Sequence, residues 1–191
     1  MIQAIIFDCF GVIITDALEV VLQQLDVERP GARDEVVDII HANNLGLLQP
    51  SESNEQIAKI LGVTAQEFRE TIDGAEAKDQ RVLDWIRELR TDYKTALLSN
   101  IGRDSMNRRF SEQELQEHFD AVIISGDLGI AKPNTAIYEY AAQQLGVPTE
   151  ACVFLDDREG HCEGARAAGM QAILYLNLAQ AQADLKKVLA K

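Results

Sequence analysis

The sequence is short of positive charge. Its 18 Lys and Arg face 31 Asp and Glu over 191 residues, a formal net charge of -13. Nucleic acid and anionic membrane surfaces demand cationic patches, so both are poor partners for this chain. If it handles phosphate, positive charge must be gathered at one spot or borrowed from a metal. Cysteine is also scarce. Cys9, Cys152 and Cys162 are odd in number, widely spaced and without a Cys-x-x-Cys pair, which argues against a disulfide framework and for a reduced, cytoplasmic protein. Cys9 reads as a buried apolar filler rather than a reactive thiol. Long hydrophobic runs are missing as well, so a membrane span is not expected. The first apolar segment has no basic stretch before it and contains Asp8, so a signal peptide is not expected either. There is no internal repeat and no low-complexity tract.

What is present is a globular composition, 47% apolar, on a chain long enough for one core and a small accessory lobe. Ala4-Ile5-Ile6-Phe7 is a short apolar, β-branched run that ends at Asp8 and a turn, Cys9-Phe10-Gly11, which predicts a buried central strand. No comparable strand returns until Thr95-Ala96-Leu97-Leu98. The intervening chain is helical in pattern: Ile57, Ile60 and Leu61 share a face up to Gly62, and Thr64-Ala65-Gln66-Glu67 is a capping box. Residues 15–78 therefore read as a helical insert, with hinges near Thr15 and Asp79, and residues 1–14 and 79–191 as the core. From Asp79 onward helix and strand alternate. A stripe of Val82, Ile86 and Leu89 is followed by the strand ending at Leu98, a helix near 104–109, and a second opened by Ser111-x-x-Glu114. Next come the strand Ala121–Ile124, a helix from Asn134 to Leu145, the strand Cys152–Leu155, a helix from Gly160 to Ala168, the strand Gln171–Tyr175 and a tail helix from Leu178. Such alternation predicts an α/β fold, a Rossmann-like parallel sheet with helices on both faces.

The ends of four strands carry polar residues. These are Asp8, then Ser99-Asn100, then Ser125-Gly126-Asp127 leading to Lys132-Pro133, and finally Asp156-Asp157. In a parallel sheet these ends share one edge, so the residues converge on one crevice. A carboxylate attacks phosphorus only if positive charge offsets its repulsion for phosphate. Asp8 and Asp157 are placed to share a Mg²⁺, Lys132 adds a point charge, and Ser99 with the turn amides near Phe10 and Gly11 offers hydrogen bonds to phosphoryl oxygens. Taken singly, each has a plainer reading: a turn former, a helix cap, a solvated loop lysine, or acids that complement a helix dipole.

Together and in this order they resemble the haloacid dehalogenase-like hydrolase superfamily. The matching pieces are Ile6-Phe7-Asp8-Cys9-Phe10-Gly11-Val12, Leu97-Leu98-Ser99-Asn100, Ala131-Lys132-Pro133-Asn134-Thr135-Ala136-Ile137-Tyr138 and Val153-Phe154-Leu155-Asp156-Asp157, with Gly164-Ala165-Arg166-Ala167-Ala168-Gly169-Met170 behind the last. The resemblance implies that the insert is a cap over the active site. It implies Asp8 as nucleophile and metal ligand, the Phe10 backbone carbonyl and Asp157 as further ligands with Asp156 close by, and Ser99, Asn100, Gly11 and Lys132 around the phosphoryl group of a small phosphorylated substrate.

Two positions depart from the family pattern. Phosphatases of the superfamily usually carry a second aspartate two residues after the nucleophile, which protonates the leaving group and later activates water; here that position is Phe10. His161 stands where relatives with the double aspartate have Asn, as a helix cap or a substitute base. The principal expectation is a Mg²⁺-dependent phosphatase favouring aryl or acyl phosphates. The alternatives are a metal-free dehalogenase using Asp8 against carbon with a cap arginine, Arg29 or Arg33, and a phosphate-binding protein with weak or lost catalysis. His41, Asn43 and Asn44 are candidate pocket residues of the cap, and Trp85 reads as packing. Oligomeric state is not encoded in any of these features.

Overall fold

The computed structural model describes residues 1–28, 31–102 and 105–190. Five strands form one parallel sheet in the order β3-β2-β1-β4-β5. They are β1 (Ala4–Phe7), β2 (Lys94–Ser99), β3 (Ala121–Ile124), β4 (Cys152–Asp156) and β5 (Gln171–Leu174). β1 is central and wholly buried because both of its faces are covered. Its side chains alternate as a strand requires. Ile5 and Phe7 enter one cluster with Val82, Ile86 and Leu185, while Ala4 and Ile6 enter the other with Ile137, Tyr138 and Ala165. The helices over the first face are α5 (Gln80–Leu89) and α10 (Leu178–Leu189); those over the second are α8 (Thr135–Leu145) and α9 (Glu159–Ala167). Trp85 is packing, as expected: it is 7% exposed and meets Phe7 edge-on with ring centroids 5.7 Å apart.

The chain leaves the sheet after β1 and returns at α5. Between lie α1 (Ala17–Glu28), α2 (Ala32–Asn44), α3 (Pro50–Leu61) and α4 (Ala65–Ala75), which enclose their own apolar cluster of Leu22, Leu25, Val36, Ile57, Ala58 and Phe68. The outgoing and returning segments lie side by side. Thr15 Oγ donates to Ala77 O and accepts from Ala77 N, both at 3.0 Å, and Asp79 N donates to Ile13 O at 2.9 Å. None of the helices among the described residues is long and apolar enough to cross a membrane.

Differences from the sequence reading have local causes. α3 starts four residues before Asn54, because Gln49 and Glu52 form a capping box and Pro50 fills the first helical position. The helix expected near 104–109 is a single 3₁₀ turn over Met106–Arg108, with residue 104 outside the described residues. The capping boxes at Thr64 and Ser111 are both formed, the latter opening α6 (Glu112–His118). A one-turn helix, α7 (Ser125–Leu128), follows β3 directly. No apolar period could announce so short an element.

Candidate active site

Register brings the site together. Phe7 pairs with Leu97 on one side and Leu155 on the other, and Ser99 pairs with Ile124. The carboxyl ends of β1, β2 and β4 therefore finish level, and the residues after them share an edge. The strand order reverses at β1: β2 and β3 extend to one side, β4 and β5 to the other. Crevices at such reversals are where open α/β sheets bind ligands.

Lys132 is the pivot. It is 3% exposed, and its Nζ lies 2.7 Å from Asp8 Oδ1 and 2.6 Å from Asp156 Oδ2. Asn100 fixes the lysine's backbone from both sides, donating Nδ2 to Lys132 O and accepting Lys132 N at Oδ1, each at 2.9 Å. Asn100 lines the crevice with one amide N–H and one oxygen lone pair given to Lys132. Asp8 Oδ1 also accepts the Cys9 amide at 2.6 Å. Asp156 is fully engaged: besides Lys132 it accepts Arg158 N at 2.9 Å and lies 3.0 Å from His161 Nδ1 through both oxygens. A carboxylate only accepts, so Nδ1 of a neutral His161 is the donor and Nε2 carries the lone pair.

Burial opposes charge at each of these groups, and the ammonium decides who keeps it. For Lys132 burial works against the cation, but Asp8 and Asp156 outweigh it and raise its pKa. Asp156 overcomes its own desolvation through Lys132 and His161 and falls below the ordinary carboxylate range. Asp8 is pushed well above that range, first by burial and then by the charge of Asp156, against the pull of Lys132. Burial, followed by the neighbouring Asp156, lifts Asp157 to about 6. Burial lowers His161 against the pull of Asp156, and raises Cys9 strongly, in keeping with a filler thiol that is 0% exposed.

Among the described residues, three buried side-chain polar atoms lack a hydrogen-bond partner: Ser99 Oγ, Asp157 Oδ1 and His118 Nε2. The first two stand at the ends of β2 and β4. Buried polar atoms are nearly always paired, so this edge offers a hydroxyl and a carboxylate oxygen to something the chain itself does not supply. Asp157 packs against the turn after Asp8. A Cβ on Gly11 would fall 2.2 Å from Asp157 Oδ2, and Gly11 has φ +78°, so only glycine fits. The Gly11 amide donates to Ile14 O at 2.7 Å, within the turn.

Asp8, Asp156 and His161 bring ligand-type atoms within 4.8 Å of one another, but the Lys132 ammonium already bridges both of those carboxylates. With all three ionised, Asp8, Asp156 and Asp157 against Lys132 would leave two negative charges, a demand that a divalent cation can meet. Asp157 is not in that cluster of ligand-type atoms; its Oδ1 lacks a partner.

Phe10 faces the same cavity, its ring 4.9 Å from the Arg109 guanidinium carbon. Arg109 donates to Ser105 O at 2.9 Å and to Glu76, which caps the end of α4, at 2.8 Å through Nε. Neither Arg109 nor Glu76 stood out in the sequence, since an Arg in a loop and a Glu after a helix carry no spacing signal. Arg33, Asn43 and Asn44 also line the cavity, with Arg33 paired to Glu19 at 3.0 Å. His41 is exposed and not among the lining residues. Arg29 lies outside the described residues.

Residues 2–169 match the model of the haloacid dehalogenase-like hydrolase family. N-acylneuraminate-9-phosphatase of Homo sapiens is 31% identical over 93 residues, 48% of this chain and 38% of that enzyme. The chain matches well under half the length of this and the other leading curated relatives. A family enzyme of Bacteroides thetaiotaomicron, solved in complex with magnesium and inorganic phosphate, superposes with a TM-score of 0.72 at 20% identity, over 91% of this chain and 93% of that one. The L-2-haloacid dehalogenase of Xanthobacter autotrophicus, with chloropropionic acid covalently bound, gives 0.63 at 20% identity, over 90% and 76%. With a family match running from the first strand past the last of the site residues, on a parallel sheet of the expected kind, the chain belongs to the haloacid dehalogenase-like hydrolases.

Proposed function

We propose that the protein is a Mg²⁺-dependent phosphatase of small phosphorylated metabolites, working through an aspartyl-phosphate on Asp8. The supporting observation is the pair of unpartnered buried oxygens, Ser99 Oγ and Asp157 Oδ1, beside a carboxylate bridged by an ammonium. Asp8, Asp157 and the Phe10 backbone carbonyl would hold the cation. Asp156, another candidate ligand by sequence, has both oxygens engaged and instead anchors Lys132. When bound, the ion neutralises phosphoryl charge that would otherwise repel Asp8.

Asp8 attacks phosphorus. The new bond joins a carboxylate oxygen to phosphorus, the ester P–O bond breaks, and its electron pair leaves with the alcohol oxygen. Lys132 and Ser99 hold the phosphoryl oxygens during transfer. Water then attacks the same phosphorus and returns Asp8 as a carboxylate. His161, held by Asp156 through Nδ1, takes the water's proton at Nε2. Phe10 has no proton to give to the departing oxygen. General acid–base assistance is worth about 10²–10⁴ in rate, so the enzyme favours leaving groups that need little protonation, such as aryl and acyl phosphates.

The dehalogenase reading draws on Phe10 and on the neighbour with a covalently bound chloropropionate. The open carboxylate of Asp157 weighs against it, since displacement of halide by Asp8 has no use for a cation. Chelation separates the two: EDTA abolishes phosphatase activity and Mg²⁺ restores it, whereas halide release indifferent to EDTA would overturn the proposal.

A further inference from the structure

Substrate choice is written in the other end of the cavity. A space of about 510 Å³ runs from Asp8, Lys132 and His161 up between the four inserted helices. That is well beyond the volume of a phosphate group and within the range of small-molecule sites. Its lining there is mixed: Leu18 and Leu22 of α1, Val37 and Ile40 of α2, Ile57 of α3 and Phe68 of α4 supply the apolar part, beside Asp34, Asn54 and Arg69. Val37 is 41% exposed although it is a large apolar residue, which suits a side chain facing a binding space.

Many of the polar groups on the lining already have partners inside the protein. Ser53 Oγ donates to Pro50 O at 3.0 Å, and Asn43 Nδ2 to Leu48 O at 3.2 Å. Arg33 is tied to Glu19 at 3.0 Å and Arg109 to Glu76 at 2.8 Å. A polyhydroxylated body entering this space has Asp34, Asn54 and Arg69 for partners, but against the apolar side chains it must break such pairs or leave hydroxyl groups unpaired, which is unfavourable. An apolar body needs no such exchange; it removes water from the apolar part of the lining.

We propose that the substrates are phosphate monoesters of apolar alcohols or phenols, with the phosphate at Asp8 and the hydrocarbon body among α1–α4. This rests on the phosphatase reading for the position of the phosphate, and on the lining alone for the body. Phenols satisfy both demands at once, since they fill an apolar space and leave without a proton.

The test is a series of 4-alkylphenyl phosphates from methyl to hexyl, in which leaving-group acidity stays constant while the body grows. Acetyl phosphate serves as a substrate with almost no body and 4-(2,3,4-trihydroxybutyl)phenyl phosphate as the hydroxylated counterpart with the same class of leaving group. The expected result is a rise in kcat/KM of about two- to fourfold per methylene until the space is filled, with the trihydroxybutyl compound at least about tenfold below the butyl compound. A flat or falling series, or a trihydroxybutyl ester as good as the butyl ester, overturns the proposal; if acetyl phosphate is still hydrolysed, the phosphatase reading survives that failure. If none of the esters nor acetyl phosphate turns over, that reading fails, and calorimetry with n-alkylphosphonates decides the body separately: affinity rising with each methylene supports the assignment and constant affinity overturns it. Ile40→Gln, at a partly buried position, is expected to halve the logarithmic slope of either series. An unchanged slope in the folded variant places the body elsewhere.

Discussion

Lys132→Met removes the one ammonium between two buried carboxylates. Lys132 lies 2.7 Å from Asp8 and 2.6 Å from Asp156, and the three side chains are between 0 and 7% exposed. Methionine fills most of the volume, so the loss is electrostatic rather than a cavity. Breaking a buried ion pair by deleting one partner costs about 3–5 kcal/mol, and here two anions are left facing each other. One relieves the strain by keeping a proton. Asp8 already titrates well above the usual range with the lysine present, through burial first, and without it rises further. The sign follows. Between the ordinary value of 3.8 and this raised folded-state pKa, the folded variant binds a proton that the unfolded chain does not. Its stability is therefore greatest at low pH and falls as pH rises, by up to about 1.4 kcal/mol per pH unit for one proton. Urea unfolding in EDTA at pH 5 and pH 8 measures this. The deficit against the parent protein should be about 3–5 kcal/mol at pH 8 and smaller by at least about 1 kcal/mol at pH 5. A deficit below about 1 kcal/mol at both values, or one that grows toward acid, refutes the account of the cluster.

Phe10→Asp should raise turnover of alkyl phosphates by about tenfold, short of the full range for general acid–base catalysis, because Arg109 beside the ring holds the new carboxylate ionised; steady-state kinetics on ethyl phosphate checks it, and no gain in a folded variant counts against Phe10 as the missing acid. Asp157, raised to about 6 mainly by burial, must lose its proton to take a cation. Asp8, the other carboxylate proposed as a ligand, is raised by burial too, so Mg²⁺ affinity by calorimetry should weaken throughout as pH falls from 7 to 5, by about tenfold or more per unit below pH 6; an affinity constant over that range excludes both as ligands. Gly11→Ala places a methyl 2.2 Å from Asp157 Oδ2 at φ +78°, and should cost about 1–3 kcal/mol of stability together with at least about tenfold in Mg²⁺ affinity.

The sheet was legible because its strands are short apolar runs and each stops at a polar residue. Ile5 and Phe7 against Ala4 and Ile6 sort to opposite faces by period alone, and Ala121–Ile124 and Cys152–Leu155 were bounded almost to the residue. Convergence of Asp8, Ser99, Lys132 and Asp156 followed from parallel topology, which places every carboxyl end on one edge. What the sequence withheld is how the polar atoms divide among partners. Asn100 and Gly11 have the right chemistry for substrate, but their amides close on Lys132 O and Ile14 O, a matter of loop paths that no residue type announces. Asp156 and Asp157 are adjacent and identical, yet one anchors a lysine and a histidine while the other has a free oxygen. Arg109 reaches Phe10 and Glu76 only because the segment after β2 folds back under the end of α4, which no periodicity encodes.

The most direct test of the central claim is acid-quenched mass spectrometry of the enzyme during turnover of a 4-alkylphenyl phosphate with Mg²⁺. A phosphoryl group should be found on the peptide containing Asp8, absent from Asp8→Asn and absent when EDTA is added. Hydrolysis proceeding with no label at Asp8, or at an undiminished rate in Asp8→Asn, would contradict it.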